Sequence, residues 1–225
     1  MYDFLTGPML WLSLAVFFGG LAARVVWYVK GLRWNLDRVP YGHLTSTGWL
    51  WALKSVIFWL IPFGSRSWRT KPGFAALFFL LHFGLVLVPL FYTGHTMFLK
   101  QWLGVSWPAM PAGLADALTI LAICAGVLML LRRYALPEIR IITGPQDLAV
   151  MALSLAPLVT GYVAAHQPEN YAFWINAHIL TGEILLLAAP FTKLAHVALF
   201  FCSRMQLGLD YGTKRGGRKG RGLAW

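Results

Sequence analysis

Five runs of apolar residues, at about 8–29, 74–99, 114–131, 147–165 and 174–202, take up most of this 225-residue chain. Each is long enough to cross roughly 30 Å of hydrocarbon as a helix. With 58% hydrophobic and 12% charged residues, the sequence is too apolar for a water-soluble globule of its size. The expected fold is all-α and integral to a membrane: five transmembrane helices in a bundle, with a cytoplasmic interfacial helix near 48–63. One five-span domain over 1–205 and a basic cytoplasmic tail over 206–225 are expected.

The charges orient the spans. Lys30, Arg33, Arg38, Lys54, Arg66, Arg69 and Lys71 fall in the first connection, Arg132, Arg133 and Arg140 in the third, and "KRGGRKGR" in the tail. Only Lys100 lies between spans two and three, and "HQPENYAF", between four and five, has no lysine or arginine. The positive-inside rule then places the first and third connections and the C-terminus in the cytoplasm and the N-terminus outside. The chain begins Met1-Tyr2-Asp3 without a basic lead, so the first span is expected to be a retained anchor rather than a cleaved signal. The segment "GWLWALKSVIFWLIPFG", 48–64, is tryptophan-rich but short, contains Lys54 and has basic flanks. A helix lying at the interface suits it better than a sixth span. Cys124 and Cys202 fall in or at the end of spans and suggest small buried hydrophobes, not a disulfide framework.

Of six histidines, His43 and His166 read as solvated or locally bonded side chains. The other four lie inside spans. His178 and His196, 18 residues apart, would share one face of a continuous fifth span at five whole turns, about 27 Å along its axis. His82 and His95, 13 residues apart, are separated by about 20 Å on span two. Antiparallel packing sets His82 level with His196 and His95 level with His178. Intramembrane ionisable groups are rare and usually functional, and neutral imidazole is a common haem ligand. Two levelled pairs therefore suggest two haems bound through both axial positions. No CxxCH occurs, which points to non-covalent haem b. An ideal helix would turn His82 and His95 about 220° apart, so an irregular turn is expected near Pro89.

Other polar groups in the spans supply secondary readings. Glu183, deep in span five, suits either proton relay at an outer quinol site or a bond to a neighbouring helix. Lys193, just before His196, suits a haem propionate or the cytoplasmic interface. Gly94 and Gly182 are small enough for a flat macrocycle to approach the backbone.

The run "INAHILTGEILLLAAPFTKLAHVALF", 175–200, resembles the last span of the respiratory nitrate reductase gamma subunit, a five-span dihaem cytochrome b. "LLRRYALPEIRIITGPQDLAVMALSL", 130–155, is similar to that family's junction between spans three and four. The long Trp-rich opening segment departs from it. That segment is closer to the cytochrome b subunits of transmembrane redox complexes in sulfate-reducing bacteria. The resemblance implies His82, His95, His178 and His196 as axial ligands of two haems b, and admits menaquinone as a further cofactor. It also implies a periplasmic multihaem cytochrome c, a cytoplasmic heterodisulfide-reductase-like iron–sulfur subunit, other membrane subunits and lipid as partners, in the bacterial cytoplasmic membrane. No nucleic-acid partner is expected. The expected role is electron transfer across the membrane, with or without quinone chemistry. The reading from a different class is a haem-free anchor or small transporter whose histidines are polar glue or proton relays.

Overall fold

The computed structural model describes residues 1–32, 46–166 and 168–214. His43 and the tail from 215 onward lie outside the described residues. Ten helices are named here: α1 (Tyr2–Gly31), α2 (Ser46–Leu60), α3 (Arg66–Thr70), α4 (Pro72–Phe91), α5 (Thr93–Leu103), α6 (Ala112–Ala135), α7 (Pro137–Arg140), α8 (Pro145–His166), α9 (Tyr171–Ala188) and α10 (His196–Lys214). No strand occurs among the described residues.

Among the described residues, five segments are long and apolar enough to cross a membrane: α1, α4, α6, α8 and the stretch Tyr171–Phe191 that contains α9. They are helical because lipid offers no partner to backbone N–H and C=O groups, so each span must satisfy its own. Pro8, Pro89 and Pro157 are accommodated inside helices, Pro8 within a wider π turn at Leu5–Met9. At about 1.5 Å per residue, the 15-residue α2 reaches only about 22 Å. It is the short apolar helix expected near 48–63.

Packing divides the chain into two compact units within and beyond the 1–205 stretch: Met1–Ser13 with Ala76–Leu185, and Leu14–Ala75 with Leu186–Trp225. In the first unit α4, α6, α8 and α9 meet through small residues, which let helices approach closely in lipid. Ala115, Thr119, Ala122 and Gly126 form a buried stripe on α6. A side chain at Gly84 of α4 would collide with the Ala122 methyl, and one at Gly126 would reach within 2.5 Å of Leu155 on α8. Leu81, Ala125 and Met151 close the core of this seam.

In the second unit α10 lies along α2. A Cβ at Gly208 would sit 2.5 Å from the Trp51 carbonyl oxygen, so the two backbones touch there. Ala52, Ser55 and Val56 of α2 are buried, while Trp49, Leu53, Ile57 and Leu60 are exposed. The Arg204 guanidinium covers the Trp59 ring at 4.4 Å, and the Tyr28 hydroxyl donates to the Gln206 side-chain oxygen. A tight turn closes α2, with Phe63 at φ 59°. Ser65 then caps α3 by accepting the Trp68 N–H at 3.2 Å.

Two apolar runs are interrupted. Span two, expected over 74–99, ends at Phe91; Tyr92 is extended and α5 begins at Thr93. The irregularity expected near Pro89 is thus at Tyr92. Span five, expected as one helix over 174–202, stops at Ala188 and passes through two 3-10 turns, Ala189–Phe191 and Lys193–Ala195, before α10 begins at His196. Pro190 withdraws a backbone N–H there, and extended Thr192 starts a new turn by accepting the Leu194 N–H at 3.2 Å. The five-turn register between His178 and His196 therefore does not hold, because it needs an unbroken helix. At the other end α10 runs on to Lys214.

Candidate functional site: a facing pair of imidazoles

His95 and His178 come together in the first unit. Their Nε2 atoms are 3.5 Å apart and their rings lie 10° from parallel with centroids 5.7 Å apart. The helix break brings His95 there. When α4 ends, its last carbonyls lose their intrahelical partners, and different groups take them up. His95 Nδ1 donates to the Pro89 oxygen at 3.0 Å, Trp107 Nε1 to the Leu90 oxygen at 2.7 Å and the Met110 amide to the Phe91 oxygen at 2.8 Å. His95 is therefore both a candidate ligand and part of the cap of α4.

His178 is held from the neighbouring helix. Its Nδ1 donates to the Pro157 oxygen on α8 at 2.9 Å, and its ring lies against Gly161, where a Cβ would be 2.8 Å from Cε1 and Nδ1. Thr160 and Thr181 hydroxyls, 3.2 Å apart, join α8 to α9 beside it.

These bonds fix the tautomers. A carbonyl only accepts, so Nδ1 carries the proton in both rings and a neutral ring keeps its lone pair on Nε2. Two lone pairs then face each other, which is unfavourable unless something electron-deficient lies between. An imidazole–metal bond is about 2.0–2.1 Å, so two in line would hold the nitrogens about 4 Å apart, slightly more than the separation seen. Among the described residues no group of three or more His, Cys, Asp or Glu could hold a metal ion. The pair thus offers two ligands on one axis and leaves the plane across it to other donors.

His82 is half-buried in the same unit; its Nδ1 donates to the Phe78 oxygen at 2.7 Å and its ring stacks on Phe78 with centroids 3.9 Å apart. His196, in the second unit, opens α10 and donates from Nδ1 to the Lys193 oxygen at 2.9 Å. Both show the tautomer with its lone pair on Nε2. Lys193 lies exposed in the turn ahead of α10. Glu183 is 2% exposed, and neither carboxylate oxygen has a hydrogen-bond partner among the described residues. A Cβ added at Gly182 would meet open space, whereas one at Gly94 would lie 3.3 Å from the Tyr92 ring. His166 is bonded locally, to the Tyr162 oxygen at 2.9 Å, and its Nε2 also lies 3.4 Å from the Asp116 carboxylate on α6. Both cysteines are free.

Pro157, Gly161, Trp107 and Met110 were not singled out by the sequence. Nothing marks Gly161 among the many glycines of membrane helices. Trp107 and Met110 sit in "WPAMP", which reads only as a turn.

Fold and site define a multi-pass helical membrane protein that places two imidazoles face to face. No family model matches the chain, and no solved structure matches it. A protein of Nitratidesulfovibrio vulgaris (strain Hildenborough) is 54% identical over 226 residues, covering 100% of both chains. The chain belongs to the family of that protein.

Proposed function

We propose that this protein is a dihaem b-type membrane cytochrome subunit. It carries electrons across the bacterial cytoplasmic membrane, between a periplasmic multihaem cytochrome c or the quinone pool and a cytoplasmic heterodisulfide-reductase-like iron–sulfur partner. The His95–His178 pair carries the reading. Two collinear nitrogen ligands with no further protein donors among the described residues suit a tetrapyrrole, which brings its own four nitrogens to the iron; a structural zinc site would need four protein ligands. Haem iron, when bound, supplies a one-electron ferric–ferrous couple. The chain holds and orients the ligand rings through backbone carbonyls, an arrangement that also raises their basicity.

His82 and His196 are the proposed ligands of the second haem, and their tautomers suit that role. Lys193 is the proposed counter-charge for a propionate of that haem. Glu183 is the proposed proton carrier if menaquinone reacts near the outer haem. The basic connections and tail, on the cytoplasmic side in this reading, would attract an acidic partner or anionic lipid.

The haem-free reading, an anchor or small transporter, must explain the facing nitrogens by a shared proton. One ring would then donate from both nitrogens and be a half-buried imidazolium, which is costly away from water.

A pyridine haemochrome assay on the purified protein separates the two readings: two haems b per chain are expected, and none would overturn the cytochrome. Alanine at His95 or at His178 should remove one spectral component, and alanine at His82 or at His196 the other. If the His82 and His178 variants lost the same haem, the pairing would be wrong.

A further inference from the structure

Each ring of the facing pair is fixed in rotation as well as position. An imidazole bound through Nε2 can turn about the metal–nitrogen axis unless its Nδ1–H is held. Here both Nδ1–H groups are held, and in each case the acceptor is the backbone oxygen of a proline inside a spanning helix, Pro89 on α4 and Pro157 on α8. Gly161, one turn after Pro157, supplies the second constraint. The His178 ring occupies the space of a Cβ at 161, which would be 2.8 Å from Nδ1 and Cε1 and 3.5 Å from Cγ. An alanine methyl there would push the ring away from α8 and stretch or break the bond to the Pro157 oxygen. The outcome is the 10° angle between ring planes.

We propose that Gly161 and the Pro89 and Pro157 carbonyls are positioning groups that hold the two axial imidazoles of the outer haem near-parallel. This rests on the cytochrome reading above. Parallel planes split the iron d-orbitals strongly, and the oxidised low-spin centre gives a rhombic electron paramagnetic resonance spectrum. Perpendicular planes leave those orbitals nearly degenerate and give a highly anisotropic signal dominated by one large g value. The angle is therefore measurable without any turnover.

The test is the spectrum of the oxidised wild-type protein, with the outer haem identified as the component lost in His178→Ala. A rhombic signal is expected. A highly anisotropic signal from that haem would overturn the inference and leave the cytochrome reading standing; a haemochrome assay without haem would instead remove the reading itself. Gly161→Ala should move the outer signal toward the anisotropic type and shift the outer midpoint potential, with the inner haem unchanged. Gly113→Ala, where no atom lies within 4 Å of the added Cβ, should change neither. An outer signal and potential that stay put in Gly161→Ala at full haem content would overturn the role of Gly161. If that variant does not accumulate, the wild-type spectrum still decides the plane angle.

Discussion

Two helices break just ahead of a histidine, and the breaks are repaired differently. At Tyr92 the repair is long-range. Carbonyls of α4 are taken by His95, Trp107 and Met110, the last two from beyond α5. At Pro190–Thr192 the repair is local: Thr192 caps Leu194, Ala195 bonds back to Thr192, and His196 bonds to Lys193. His95 reaches six residues back, across its break, whereas His196 reaches three residues back within one turn. The Nδ1 bond of His95 thus spans its break and shares the end of α4 with groups as far on as residue 110, whereas the Nδ1 bond of His196 stays within one turn. A side chain set by distant contacts is exposed to mutation over a wider stretch of chain.

The largest effects should separate the two breaks most clearly. His95→Ala and His196→Ala are each expected to lower the haem content from two to one per chain. Only His95→Ala should also loosen the polypeptide nearby, because it orphans the Pro89 carbonyl; faster amide exchange across 92–103 checks this, and equal exchange in the two variants would erase the contrast. Trp107→Phe keeps an aromatic ring, though a smaller one, and removes the donor to the Leu90 oxygen. A hydrogen bond of this kind contributes about 0.5–1.5 kcal/mol, so exchange in α5 should quicken by up to roughly tenfold, with the outer haem alone perturbed. Thr192→Val removes the cap on Leu194 and should cost about 1 kcal/mol, seen in thermal unfolding and in the inner haem alone. Thr192→Ser keeps the acceptor and should stay within about 0.5 kcal/mol of wild type.

The five spans and the short α2 were legible because apolar length is a property of the sequence itself. The meeting of His95 with His178 was legible from their level on antiparallel helices. The break before His196 was not, although Pro190 was in view. Pro8, Pro89 and Pro157 all sit inside helices, so proline alone does not mark a break; at 190 it is followed within two residues by a threonine that caps a new turn. The slot at Gly161 was hidden for another reason. A glycine's use depends on which side chain faces it from the next helix, and His178 lies 17 residues away in sequence.

The Met110 amide, donated to the Phe91 oxygen from a stretch without regular structure, has a kinetic consequence. Loop amides ordinarily trade hydrogen with solvent quickly, because nothing must open first. Met110 should instead trade as slowly as a helical residue, at the rate at which the whole connection lets go of α4. That single amide is a clock for how often His95 swings free.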